Sequence, residues 1–173
     1  PGRQSVSFET SKAYLQLSRT TPLTERGPVG PCNFLVCGAF WMTREIEISL
    51  ALAKNVSIEY GTKTASWSLP ATKTDPKGLG KTRAWQCVCD DDRHKPCPFH
   101  AMLAQLELLR SKFAVDGELP AETPLFPTEG GAVMDKRGAV LTIEAMAARA
   151  GEALVDDFGN RRFGGHSLRV LGA

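Results

Sequence analysis

Phe40-Trp-Met-Thr-Arg-Glu-Ile-Glu-Ile-Ser-Leu-Ala-Leu52 decides how this chain is read, because it supports two structures. Ile46, Ile48, Leu50 and Leu52 alternate with polar or small residues, and the alternation runs on through Val56, Ile58 and Tyr60. A period of two is the mark of a half-buried strand. The segment also overlaps Asn33-Phe-Leu-Val-Cys-Gly-Ala-Phe-Trp-Met-Thr43, which is apolar on every side and reads as a buried helix. On periodicity alone, 44–60 reads as strand.

Working outward, residues 64–70 and 82–89 are strand-like, and Ala71-Thr-Lys-Thr-Asp-Pro-Lys-Gly-Leu-Gly80 joins them as a loop. Trp67 and Trp85 then fall on facing strands and are expected to pair across them, while Trp41 belongs to the buried helix. Residues 98–113 form an amphipathic helix with a stripe of Phe99, Met102, Leu103, Leu106, Leu109 and Phe113; Cys97 sits at the cap and Pro98 in the first turn. Residues 114–130 read as loop. A second helix is expected over 143–155, with Thr142 as N-cap and Ile143, Met146, Ala147, Ala150 and Leu154 inward. Residues 1–30 are polar and breaker-rich, and read as a leader or linker to a domain over 31–173. The class is α+β: a mainly helical core with a small three-stranded antiparallel sheet.

The 173 residues suffice for one core, and 42% apolar with 23% charged is ordinary for a globular domain. No apolar run is long enough for a membrane span, and no secretory signal opens the chain. A net charge of +2 identifies no partner, but its distribution is uneven. Lys54, Lys63, Lys73, Lys77, Lys81 and Arg83 cluster over 54–83, and Arg161, Arg162 and Arg169 near the end. Between them, 97–157 holds ten carboxylates against five bases. The two basic segments could converge on a polyanion, or could simply be solvated.

Gly164-Gly-His-Ser-Leu-Arg-Val-Leu-Gly-Ala173 resembles the second signature box of tyrosine recombinases, in which a His and an Arg three residues later sit at a helix start. The resemblance implies a first box upstream: a buried helix, an Arg, and an acid three residues on. Arg44 and Glu47 match that pattern, and on this ground 44–52 is read as helix. A Lys in a hairpin turn is implied next, and Lys73 fits in order and context. In such enzymes a Tyr hydroxyl attacks a DNA backbone phosphorus without a metal. Arg44 and Arg169 would receive the growing charge on the non-bridging oxygens, since guanidinium forks meet them bidentately. Lys73 would protonate the leaving 5′-oxygen, and His166 would bond the phosphate or move a proton. Lys73, Lys77 and Lys81 would contact DNA. Taken singly, Arg44 beside Glu45 and Glu47 also reads as a surface ion-pair cluster, Lys73 as a solvated loop residue and His166 as a structural histidine.

The chain holds only Tyr14 and Tyr60, whereas the family's nucleophile lies beyond the second box. The sequence is therefore expected to be a piece of such a domain, inactive in cleavage by itself. Double-stranded DNA is the implied partner, with self-association on DNA in the complete protein and an intracellular setting (the nucleus in a eukaryote).

Of five cysteines, Cys32 and Cys37 read as core thiols. Cys87, Cys89, Cys97 and His100 form a possible structural zinc set, although Cys-x-Cys on a strand would turn one thiol away. The alternative for these four is packing at a strand end and a helix cap. A rival for the whole chain is a zinc-stapled, non-enzymatic DNA- or partner-binding module.

Overall fold

The computed structural model describes residues 15–69, 80–89 and 96–171, within which five helices and three strands form an α+β fold. Helix α1, Pro31–Phe40, is buried from its first residue to Ala39. Pro31 suits its first turn, and Gly30 enters it at φ 68. A Cβ at Gly30 would stand 2.1 Å from Gln105 Oε1, so the close approach requires glycine. The helix stops in a Schellman turn: Met42 and Thr43 donate their amides to the Ala39 and Gly38 carbonyls, each at 3.0 Å. The left-handed residue of that turn is Met42, at φ 50, where glycine is usual.

Helix α2, Glu45–Ser49, follows at once, so these residues are helical despite their strand-like periodicity. Its burial is inverted: Glu45, Glu47 and Ser49 are buried with Ile48, while Ile46 and Leu50 are 54% and 56% exposed. After a 3-10 turn at Ala53–Asn55, strands β1 (Val56–Glu59), β2 (Thr64–Leu69) and β3 (Lys81–Gln86) form an antiparallel sheet in that order. Central β2 turns Ala65, Trp67 and Leu69 inward.

The expected Trp67–Trp85 pair does not form. Ala65 lies opposite Trp85, and Arg83 opposite Trp67. Each indole instead meets the end of α1: Trp67 packs edge-on against Trp41 at 5.9 Å, and Trp85 against Phe40 at 5.3 Å. A two-residue offset in register decides this, leaving each tryptophan beside the helix that covers the sheet.

Helix α3, Pro98–Phe113, begins after Cys97 as expected and buries Phe99, Met102, Leu106 and Leu109. Gln105 is also buried on that face. Its Oε1 accepts from Asn33 Nδ2 at 3.1 Å, and its Nε2 donates to Leu125 O at 2.8 Å, so α1, α3 and the following loop share one polar joint. Helix α4 spans Lys136–Arg149 rather than 143–155. Asp135 is its N-cap, accepting from the Gly138 amide at 2.7 Å, and Thr142 lies inside the helix, bonded to Gly138 O. Gly151, at φ 79, terminates it and leaves Leu154 outside.

Where the sequence suggests a loose leader, the described residues 15–30 lie against the body. Leu17 and Val29 are buried, and the Val29 amide donates to Pro127 O at 2.8 Å. Helix α5, Ser167–Leu171, returns to α1, with Leu168 packed on Gly38. Among the described residues no helix is long and apolar enough to cross a membrane.

Gly138 tests the seat of α4. Alanine would ordinarily strengthen a helix by about 1 kcal/mol. Here its Cβ would stand 2.0 Å from the Arg26 carbonyl oxygen, a backbone atom that cannot swing aside. Gly138→Ala is therefore expected to lower stability by about 1–2 kcal/mol net, read as a fall in denaturant midpoint. A raised midpoint would show that α4 can move off residue 26.

Candidate functional site

Two segments far apart in sequence meet where α1 hands the chain to α2. Arg44 is the N-cap of α2, and Glu47 Oε2 accepts its backbone amide at 2.7 Å. Arg169, on α5, crosses to the same place. Its Nε donates to Met42 O at 3.0 Å, and its Nη2 to Glu47 Oε2 and Oε1 at 3.1 and 3.3 Å. The Glu47 carboxylate therefore braces the backbone of one arginine and the side chain of the other. The acid three residues after Arg44 thus meets that residue's backbone amide.

The Arg44 side chain is placed otherwise than an ion-pair cluster requires. Its neighbours in sequence are engaged elsewhere, Glu47 with Arg169 and Glu45 with Lys136 at 3.4 Å. The Arg44 guanidinium has no hydrogen bond or ion pair among the described residues, although its Nε is buried. An arginine held at a helix N-terminus with unused donors can accept an anion at low cost.

His166 is exposed in the turn that opens α5. That turn is closed by Ser167, whose amide donates to Gly164 O at 2.9 Å while its Oγ accepts from the Gly164 amide at 3.0 Å. The Glu45 amide donates to Gly165 O at 3.1 Å, and a Cβ at Gly165 would fall 1.9 Å from the Glu45 carboxyl carbon. The glycine before His166 thus lets the two segments touch. Arg44, Glu47, His166 and Arg169 lie on these joined segments. Lys73 and Lys77 fall outside the described residues. Lys81, the first residue of β3, is exposed.

The other C-terminal arginines are committed to the protein. Arg161 holds Glu144 through Nε at 2.8 Å and Nη2 at 2.5 Å, and this bond raises its already high pKa. Arg162 donates to Ala153 O at 2.8 Å and faces Glu152. Sequence charge overstated what this segment offers a polyanion. Sequence reasoning also missed Met42 O and Gly165. Met42 has no sequence signal, whereas the paired glycines before His166 could have suggested close packing.

A second constellation lies at the far end of β3. Cys87, Cys89, Cys97 and His100 bring four donor atoms within 4.8 Å of one another. Cys87 Sγ and Cys97 Sγ are 3.8 Å apart, and His100 Nδ1 lies 3.2, 3.3 and 3.8 Å from Cys89, Cys97 and Cys87 Sγ. A tetrahedral zinc with Zn–S near 2.3 Å separates two sulfurs by about 3.8 Å and a sulfur from a nitrogen by about 3.6 Å. The four residues fit a metal ion of that size. Both thiols of Cys-x-Cys reach it because β3 ends at Gln86, and the chain then leaves the strand alternation. Burial opposes ionisation of Cys97, yet the backbone amides of His100 and Val88 bring its thiol down to about 7.

No protein-family model matches this chain, and no curated protein matches it in sequence. Its fold is similar to that of the XerH site-specific recombinase bound to difH substrate in a pre-cleavage complex. That likeness has a TM-score of 0.59 at 14% identity, over 98% of this chain and 41% of the recombinase. The post-cleavage complex of XerH with palindromic difH gives 0.59 at 15% identity, over 98% and 40%. The chain spans about two fifths of these recombinases and shares their fold over nearly all of its own length.

Proposed function

We propose that residues 31–173 are part of the catalytic domain of a tyrosine recombinase, preceded by a segment over 1–30 whose residues 15–30 pack against it, and that the chain acts on double-stranded DNA. The observation that carries this is the bonding of Arg169 to Met42 O and to Glu47, the carboxylate that also accepts the Arg44 backbone amide. Both guanidiniums would bind the scissile phosphate. Charge grows on its non-bridging oxygens as a tyrosine hydroxyl attacks phosphorus, and planar forks match that charge geometrically. The bond to the 5′-oxygen breaks as a 3′-phosphotyrosyl bond forms, and the leaving oxygen takes its proton from Lys73. His166 would bond the phosphate or relay a proton. The phosphotyrosyl bond conserves the energy of the broken one, so a second 5′-hydroxyl can reverse the step on another strand. The attacking tyrosine is assigned to sequence outside this chain, and the complete protein is expected to self-associate on DNA.

The Cys87, Cys89, Cys97 and His100 cluster is read as a structural zinc site. Four protein ligands leave no open position, so the ion would take no part in cleavage. The non-enzymatic reading shares this zinc and the DNA and would use Arg44 for phosphate contact alone, but it gives the bracing of Arg169 by Glu47 no role beyond packing.

Three outcomes follow. Arg44→Ala should leave the fold intact, since its side chain has no described partner, and should weaken duplex binding about 5- to 100-fold at fixed salt, read by fluorescence anisotropy. Unchanged affinity would remove Arg44 from the phosphate site. Glu47→Ala, which strips both the cap and the Arg169 brace, should cost about 2 kcal/mol in chemical denaturation, with Glu47→Gln less harmful. Equal loss from both would mean that charge, not acceptor geometry, matters. On a nicked suicide duplex this chain should give no covalent band in a denaturing gel; a band would assign the nucleophile to Tyr14 or Tyr60.

A further inference from the structure

Strand β3 has an unusual balance of attachments. It is a sheet edge, and of its six residues only Arg83 is even half-buried by residue class. Besides the β2 ladder, its middle is fixed at the end of α1. Trp41 Nε1 donates to Arg83 O at 3.0 Å, Arg83 Nη1 returns a bond to Trp41 O at 2.6 Å, and Trp85 leans on Phe40. Beyond Trp85, the bonds that hold the described chain are the last ladder pair, Gln86 with Thr64, the Cys87 amide bonded to Lys63 O at 2.9 Å, and the four-donor cluster. Two of those donors, Cys97 and His100, belong to the N-cap and first turn of α3, whose Phe99 and Met102 are core. The cluster therefore joins a weakly buried edge to a deeply seated helix.

Without an ion this joint holds little. Three thiols and an imidazole within 4.8 Å offer only weak hydrogen bonds, and thiolates there would repel one another. With an ion, the repulsion becomes four coordinate bonds. The Cys89 amide already points at Cys87 Sγ at 3.4 Å, the kind of outer contact that orients a thiolate ligand.

We propose that zinc at Cys87, Cys89, Cys97 and His100 is a cross-brace that fixes the end of β3 to α3, and so steadies the edge strand whose exposed Lys81 meets DNA phosphate. This rests on the zinc reading of the four donors and adds a local mechanical role that the fold elsewhere does not share. Zinc loss releases one edge of the sheet while the helical core stands.

The test uses the full 173-residue chain purified without chelator. Zinc is measured first, then backbone hydrogen exchange and duplex affinity are followed before and after chelation and after zinc is restored. The expected result is one zinc per chain. Chelation should speed exchange of the 83–89 amides at least tenfold and weaken DNA binding several-fold, with the Leu106–Phe113 amides unaffected and both changes reversed by zinc. Cys89→Ser, which removes one ligand outside α3, should reproduce the effect in part. Absence of stoichiometric zinc overturns the zinc reading itself. Zinc bound with exchange over 83–89 unchanged on its removal overturns the brace and leaves the site. Accelerated exchange throughout α3 overturns the local role, and faster edge exchange with undiminished DNA affinity overturns the link to DNA.

Discussion

One carboxylate, that of Glu47, organises the site. It accepts the Arg44 amide at the start of α2 and the Arg169 guanidinium arriving from α5. Either bond alone would be ordinary. Together they make the position of one arginine depend on that of the other, because both bond the same carboxylate and share its Oε2. The pair is asymmetric in exposure, with the Glu47 side chain 10% accessible and Arg169 36%. Much of the arginine therefore remains open to whatever the site receives, while its anchor is sheltered from water and screened less by salt.

Around that anchor the fit is steric. Gly165 brings the α5 turn onto Glu45, and Gly38 lets Leu168 sit on α1, where a Cβ would come within 2.6 Å of that leucine. Met42 takes a left-handed conformation, which costs a non-glycine residue on the order of 1 kcal/mol. Its carbonyl is the second acceptor for Arg169. Strain at the end of α1 thus coincides with the contact that positions the Arg169 side chain.

Long, regular elements were legible in the sequence. The α3 stripe, the buried α1 and the antiparallel sheet all follow from periodicity and breakers. The site itself was not legible from pattern, because its binary code is reversed. In α2 the glutamates face inward to serve as acceptors and the isoleucine at 46 faces out, so the apolar residues trace a false strand. Only motif resemblance corrected that. Helix α4 was misplaced because Lys136-Arg-Gly138 lacks apolar residues, and the Asp135 cap before it was overlooked. The tryptophan pairing failed because register is set by the ladder and the covering helix, neither of which strand propensity encodes. The Cys3His cluster was legible as a ligand set, but its geometry depended on where β3 ends.

The contact between Met42 and Arg169 spans 127 positions of the chain. During synthesis, α1, the sheet and α3 can all be made and packed before residue 169 leaves the ribosome. Glu47 must wait for its guanidinium through that interval, so nascent chains carry a half-built pocket in which this acid has only the Arg44 amide. Closure by α5 is then a late, long-range event with a large loop entropy to overcome. The arrangement of Arg44, Glu47 and Arg169 is therefore complete only once residue 169 has been made, and translational pausing before it would prolong the incomplete state.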